Sequence, residues 1–221
     1  MSHPLSINLH GSGRAEPYSH MYFQMCAKSL IHYRHLCEKL PEFDNLDPRY
    51  NVLMSSVKEA SVQPVIFAGM CLEATLYDLA ACLFGDEFAQ NTDKLDPLGK
   101  FVMLAQCINH ETPSKSHIAY QSIKALITAR NRLIHYKSQP LELEFKLIRQ
   151  SIKLHTKHML GITNSFRSLV LLSLYFNGNV FEELRILPSF KETEHWSNIV
   201  PIELHNEVNH CIKLSKRTQE S

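Results

Sequence analysis

Apolar residues recur at helical spacing along most of this 221-residue chain. Polar stretches rich in proline, asparagine and aspartate separate the apolar segments and favour turns between them. The pattern predicts helices over 17–40, 50–84, about 97–108, 117–135 and 140–176. We expect Pro64 to kink or divide the second of these, because proline lacks a backbone donor and clashes with the preceding turn. No convincing alternation typical of a sheet is present, so the prediction is an all-α protein.

Three parts are predicted. Residues 1–16, with their Gly-Ser-Gly run, form a flexible leader, and 17–178 form an antiparallel helical bundle. A short C-terminal extension, 179–221, is broken by prolines and begins with a stretch that could instead form a hairpin. We expect the extension to cover the bundle, enlarge a dimer interface or bind a partner, with Trp196 as the anchor in each case.

Composition and charge restrict the function only loosely. The formal net charge is +1, which provides no overall attraction to nucleic acid or anionic membranes, so any RNA binding needs a local basic patch. The six cysteines form no CxxC pair and lie in helix-like segments, which indicates reduced, buried thiols. The first 17 residues lack an apolar core, so no secretory signal is expected.

A membrane location is not expected either. The most apolar stretch, 65–84, contains Glu73 and Asp78, and acidic groups are costly within a bilayer. We therefore expect a cytoplasmic protein with no membrane partner.

The segment from Ala129 to His135 carries the candidate chemistry. On a helical wheel, the apolar residues of this helix lie within about 60° of Arg130, so its charge faces the core. Such a charge is costly unless it is paired or functional. Asn131 and His135 are four residues apart and therefore neighbours, on one shoulder of the apolar stripe. His135 lies about 140° from Arg130, and the long guanidinium can curl toward that shoulder.

These residue types suit cleavage of an RNA phosphodiester. An arginine grips the scissile phosphate and stabilises the charge that develops on it. A histidine exchanges protons near neutral pH, and can activate the ribose 2′-hydroxyl or protonate the leaving oxygen. Asparagine can orient the substrate or the histidine. This chemistry needs no metal ligand set, and we expect neither a metal nor a cofactor.

Three further residues are candidates for supporting roles. Glu73 has apolar neighbours on its own helix face, and a buried carboxylate requires a cation, so we expect it to approach Arg130 and orient or mask it. Arg132 and Lys137 either widen a basic rim for RNA or belong to a solvated face.

The run Arg130-Asn131-Arg132-Leu133-Ile134-His135 resembles the signature of the HEPN family, an arginine and a polar residue followed by a histidine. Residues 67–74 resemble the Leu-Glu-Ala-containing helix found earlier in many HEPN-like domains. The resemblance covers about 50–176. It implies an all-α homodimer that brings two motifs into one cleft. Many relatives are metal-independent endoribonucleases of toxin–antitoxin or other defence systems, so the resemblance also implies an antitoxin or another protein regulator.

The motif departs from one HEPN subgroup. In that subgroup a tyrosine follows the histidine after one intervening residue, whereas Lys137 occupies that position here and Tyr136 comes directly after His135. The tyrosine-modification mechanism of that subgroup is therefore not carried over.

Other interpretations stay open. Arg130 can be a structural arginine paired with Glu73, and His135 can cap a helix end. The protein would then be a catalytically inactive helical module that binds a protein or nucleic-acid partner. A bundle that binds a small molecule or a nucleotide is a third alternative. The pairs His32/His35 and His155/His158 have spacing that could share a metal, but no acid or thiol completes a site, so surface histidines are expected.

Overall fold

Every regular element in the described residues is helical. The computed structural model describes 18–42, 47–135, 144–176, 184 and 186–219, with the backbone alone for 144–156. The main helices are α1 (Tyr18–Lys39), α2 (Pro48–Phe84), α3 (Asp86–Thr92), α4 (Pro97–Asn109), α5 (Ile118–Ile134), α6 (Glu144–Tyr175), α7 (Thr193–Trp196) and α8 (His205–Gln219), with 3₁₀ turns at Leu40–Glu42 and Ile202–Leu204. The all-α prediction is confirmed for these residues. The leader, Lys137 and 179–183 lie outside them.

Local sequence signals explain where α2 and α4 begin. The Asp47 carboxylate accepts the Arg49 backbone N–H at 2.8 Å, and Asp96 caps α4 in the same way. A proline follows each aspartate, at a position where its missing N–H costs nothing. Gly85, with φ of 92°, ends α2 in a backbone conformation that other residues rarely adopt.

Pro64 does not divide α2. The helix runs unbroken through it for 37 residues, so division, one of the two expected effects, is not observed. An interior proline costs about 3 kcal/mol. Buried residues on both sides of Pro64, among them Ala60 and Val65, hold the two halves in one core and offset that cost.

The long helices pack around α2, which contacts α1, α3, α4, α5 and α6. Ser19 at the start of α1 hydrogen-bonds Asp78 near the end of α2. Early α5 meets late α6, because the Ser122 hydroxyl lies 3.0 Å from that of Ser168. Later in α5, Ala129 faces Gly161 of α6.

Residues 186–219 cover the bundle. Trp196 is 1% exposed and packs against Phe190 and the His205 ring. The Glu207 carboxylate on α8 binds Arg34 of α1 at 2.7 Å and Arg167 of α6 at 2.5 Å. The buried side chains of this segment join those of the bundle in one cluster. Of the three roles expected for the extension, covering the bundle is the one observed.

Among the described helices, α2 alone is long and apolar enough to cross a membrane, and 56% of its most apolar window is buried inside the protein. The buried core helix of a soluble protein meets the same criteria. All six cysteines are free, and Cys26, Cys71 and Cys211 are buried.

Candidate functional site

The Arg130 side chain lies across α2 at a notch created by Gly69. A Cβ placed on Gly69 would be 3.0 Å from both Cγ and Cδ of Arg130, closer than side chains normally approach. The absent side chain at position 69 therefore provides the space that the aliphatic part of Arg130 occupies. One turn further along α2, Glu73 receives the guanidinium.

Arg130 and Glu73 form a two-point ion pair. The distances are 2.9 Å from Nη1 to Oε1 and 3.3 Å from Nη2 to Oε2. The expected approach of Glu73 to Arg130 is therefore observed. The two side chains remain 24% and 38% exposed, so the pair lies at the edge of the core. A guanidinium has five N–H donors, and the contacts within the described residues occupy two of them.

Asn131 and His135 lie beyond this pair, at the end of α5. Both are exposed, and His135 closes the helix with its backbone N–H 2.9 Å from the Asn131 carbonyl oxygen. Neither side chain hydrogen-bonds to another described residue. The expected curl of the Arg130 guanidinium toward their shoulder is not observed, because Arg130 is directed to Glu73 on α2.

Two faces of α5 thus carry different parts of the predicted motif. Arg130 faces α2, whereas Arg132 lines a groove of about 680 Å³ between α5 and α6. On a helical wheel, Arg132 is about 160° from Arg130 but only about 60° from His135. Lys137, which is predicted to share a basic rim or a solvated face with Arg132, lies outside the described residues.

A polar network and a close helix contact form the wall of that groove. The Asn164 amide donates to the Ser122 carbonyl oxygen at 2.8 Å, and its oxygen accepts the Ser122 hydroxyl at 2.6 Å. Farther along, a Cβ on Gly161 would come within 2.9 Å of the Ala129 Cβ. Small residues at this crossing allow α5 and α6 to approach closely. Apart from Ala129, none of these positions was singled out in the sequence, where the signal is small residues spaced along facing helices.

A second pocket, of about 550 Å³, lies near the start of α5 and includes Glu111, His117 and Tyr175. The His117 Nδ1 accepts the Ala119 backbone N–H at 3.2 Å and so caps the helix. Its ring packs edge-on against Tyr175. Burial lowers the pKa of His117, and Glu111 opposes part of that effect. The cap was also missed in the sequence, where His117 was simply the first helical residue.

Several histidines outside the motif have structural contacts. His158 lies 2.8 Å from the Ser61 hydroxyl, and His205 Nε2 lies 3.0 Å from the Val200 carbonyl oxygen. His32 and His35 are exposed on α1. Among the described residues, no three His, Cys, Asp or Glu side chains cluster as metal ligands would.

Comparison of the chain with models of known protein families, with curated proteins and with solved structures found no match.

Proposed function

We propose that this protein is a metal-independent endoribonuclease of HEPN-like type, acting as a cytoplasmic homodimer. Its substrate is RNA because the reaction uses a ribose 2′-hydroxyl. Arg130 stabilises the scissile phosphate, His135 transfers protons and Asn131 orients the reacting groups. A role in defence, under the control of an antitoxin or another protein regulator, is part of the same proposal.

The main support is the fixed position and partial exposure of the Arg130 guanidinium. Its guanidinium is held in one position by Gly69 and Glu73, yet it is partly exposed and retains N–H donors that Glu73 does not use. A fixed, partly desolvated arginine can stabilise a phosphoryl transition state without the cost of reorganising at the moment of reaction. Asn131, the next residue along α5, and His135, one turn beyond Asn131, are exposed, so a substrate can reach them.

The reaction proceeds by attack of the 2′-oxygen on the adjacent phosphorus, with breakage of the bond to the 5′-oxygen. One His135 accepts the 2′-hydroxyl proton, and a second donates a proton to the leaving 5′-oxygen. The products are a 2′,3′-cyclic phosphate and a 5′-hydroxyl. Because Arg130 and His135 leave α5 in different directions, we propose that a second copy completes the site. Ile134, half exposed beside His135, is an apolar contact for that copy.

Glu73 has a regulatory role in this account. A phosphate that binds the free donors of Arg130 approaches the Glu73 carboxylate, and like charges repel. Glu73 therefore lowers the affinity for RNA until the site is assembled.

Cleavage assays with single variants test the proposal. We expect Arg130→Ala and His135→Ala each to lower the cleavage rate by on the order of 10²-fold or more. Arg217→Ala and His35→Ala are matched controls, since both residues are exposed and lie away from the motif. Equal rates in all four variants would reject the assignment.

The ion pair also favours a second candidate, a catalytically inactive module that binds a protein or nucleic-acid partner. In that case Glu73 neutralises Arg130 to stabilise the bundle and no chemistry follows. Binding without cleavage, together with loss of stability in both Arg130→Ala and Glu73→Ala, would favour it over the nuclease.

A further inference from the structure

We infer that the groove between α5 and α6 binds the phosphate backbone of single-stranded RNA. The groove ends at His135. This inference rests on the proposed function only for the identity of its end point. The groove itself is defined by its charge, its floor and the hydrogen bonds of its polar side chains.

The described lining of the groove contains four cations and no acidic residue: Lys124, Arg132, Lys157 and Arg167. The α5–α6 register, with Ala129 facing Gly161 and Ser122 facing Ser168, places these cations in two pairs. Lys157 is level with Arg132, and Arg167 is level with Lys124. Cations therefore flank the groove at both ends, on a protein whose net charge is only +1.

Most of this charge is available to a ligand. Arg167 is bound by Glu207 on α8. Lys124 and Lys157 are exposed, Arg132 is partly exposed, and within the described residues none of the three forms an ion pair. Three cations that line one groove and have no ion-pair partner among the described residues attract a polyanion and repel a second copy of the same face. A twofold self-contact is therefore disfavoured here.

The uncharged polar groups of the groove already donate to the protein. Thr128 donates to the Lys124 carbonyl oxygen, Thr163 to that of Met159, and the Asn164 amide to Ser122. The cations are thus the donors left for a ligand. A nucleic acid that is bound by cations alone is recognised through its phosphates and without sequence preference.

The floor between the cation pairs is apolar. It consists of Ala125, Ala129 and Leu160, and Leu160 is 64% exposed. A base can pack on such a floor only if it is not stacked within a duplex, so the geometry favours a single strand.

The groove leads to the candidate catalytic end of α5. Lys124, Thr128, Arg132 and His135 all lie within about 80° of one another on the helical wheel. The rise of a helix separates Lys124 from Arg132 by about 12 Å, and His135 follows after about 5 Å more. A strand bound along the groove would therefore bring a phosphate to His135.

The test measures binding of a labelled oligouridylate by fluorescence anisotropy. All proteins in this test carry His135→Ala, so that the RNA is not cleaved. We expect Lys124→Gln/Arg132→Gln/Lys157→Gln to weaken binding about tenfold or more and to reduce the slope of log K against log salt by about 2. The control Lys28→Gln/Lys58→Gln/Arg217→Gln removes the same charges from exposed positions outside the groove. Thermal unfolding establishes that both variants are folded.

Equal losses in the two triple variants, no RNA binding by the parent protein, or tighter binding of duplex RNA or polyglutamate would each overturn the inference. Cleavage is measured separately in proteins that retain His135. If RNA binds through the groove but the wild-type protein does not cleave it, the nuclease proposal fails and the groove stands. If cleavage needs Arg130 and His135 but not the groove cations, the groove fails and the nuclease stands.

Discussion

The aliphatic part of Arg130 lies against the backbone of Gly69, with no room between them for a Cβ. This contact fixes the direction of the guanidinium, which then meets Glu73 one turn along α2. The position of the candidate catalytic arginine is thus set by a residue that has no side chain. α2 and α5 must therefore keep this spacing if Arg130 is to keep its position in the candidate site.

Gly69→Ala should separate stability from activity. The alanine adds helix propensity worth about 1 kcal/mol but displaces Arg130, so we expect little net change in the free energy of unfolding and a clear loss of RNA cleavage. In an Arg130→Ala background the same substitution should stabilise the protein by about 0.5–1 kcal/mol. Urea unfolding of the wild type, the two single variants and the double variant gives the coupling free energy between Gly69 and Arg130.

The control for this cycle is Gly161→Ala. Its Cβ would meet the Ala129 Cβ at 2.9 Å, so it should destabilise the protein whether or not Arg130 is present. Additive effects of Gly69→Ala and Arg130→Ala would contradict the contact that we describe.

Glu73→Gln tests whether the carboxylate restrains RNA binding. The amide keeps the shape of the side chain but removes the charge that competes with phosphate. We expect RNA affinity to rise about threefold to tenfold, while stability falls by up to about 1 kcal/mol, as for other partly exposed pairs. Unchanged or weaker RNA binding, measured by anisotropy at fixed salt, would exclude the masking role.

His117 should make stability depend on pH. Burial lowers its pKa below 6.5, although Glu111 opposes this, so the unfolded chain binds a proton more readily than the folded protein. Its stabilising contribution is complete above about pH 6.5 and is lost as the pH falls through the lowered pKa. His117→Asn retains a helix cap and should flatten the unfolding profile in this window. An unaltered profile would show that another group is responsible.

Glu207 should fasten the C-terminal segment to the bundle. Burial opposes its ionisation, but hydrogen bonds from Arg167 and Arg34 outweigh this and lower its pKa below 4.5. We expect Glu207→Gln to cost about 2 kcal/mol at neutral pH. The loss should shrink as the pH falls below about 4.5 and through the lowered pKa, where the native carboxylate is protonated. Chemical unfolding at two pH values measures both quantities, and a loss independent of pH would contradict this role.

The sequence predicts the helices well because their apolar spacing and capping residues are local. Gly85 ends α2 as expected, and α5 runs between the two histidines that were predicted to bound it. Whether α2 continues through Pro64 depends on burial along both halves of the helix, which no local pattern reveals. The short helix α3 was missed because its segment is mostly polar and offers little apolar periodicity.

Only part of the candidate site could be predicted from the sequence. A core-facing arginine and a lone glutamate in apolar helices indicated their pairing, because buried charges need partners. The same wheel placed Ile134 on the apolar stripe, yet it is 50% exposed at the end of α5. The groove needs the register of α5 against α6, since Arg132 and Lys157 are remote in sequence and each resembles an ordinary surface cation.

Cleavage of RNA in excess EDTA tests the central claim most directly, with Arg130→Ala/His135→Ala as the comparison. We expect the wild-type protein to leave 2′,3′-cyclic phosphate and 5′-hydroxyl ends, and the folded double variant to be inactive. Cleavage that EDTA abolishes, or that the double variant retains, would contradict the proposed enzyme.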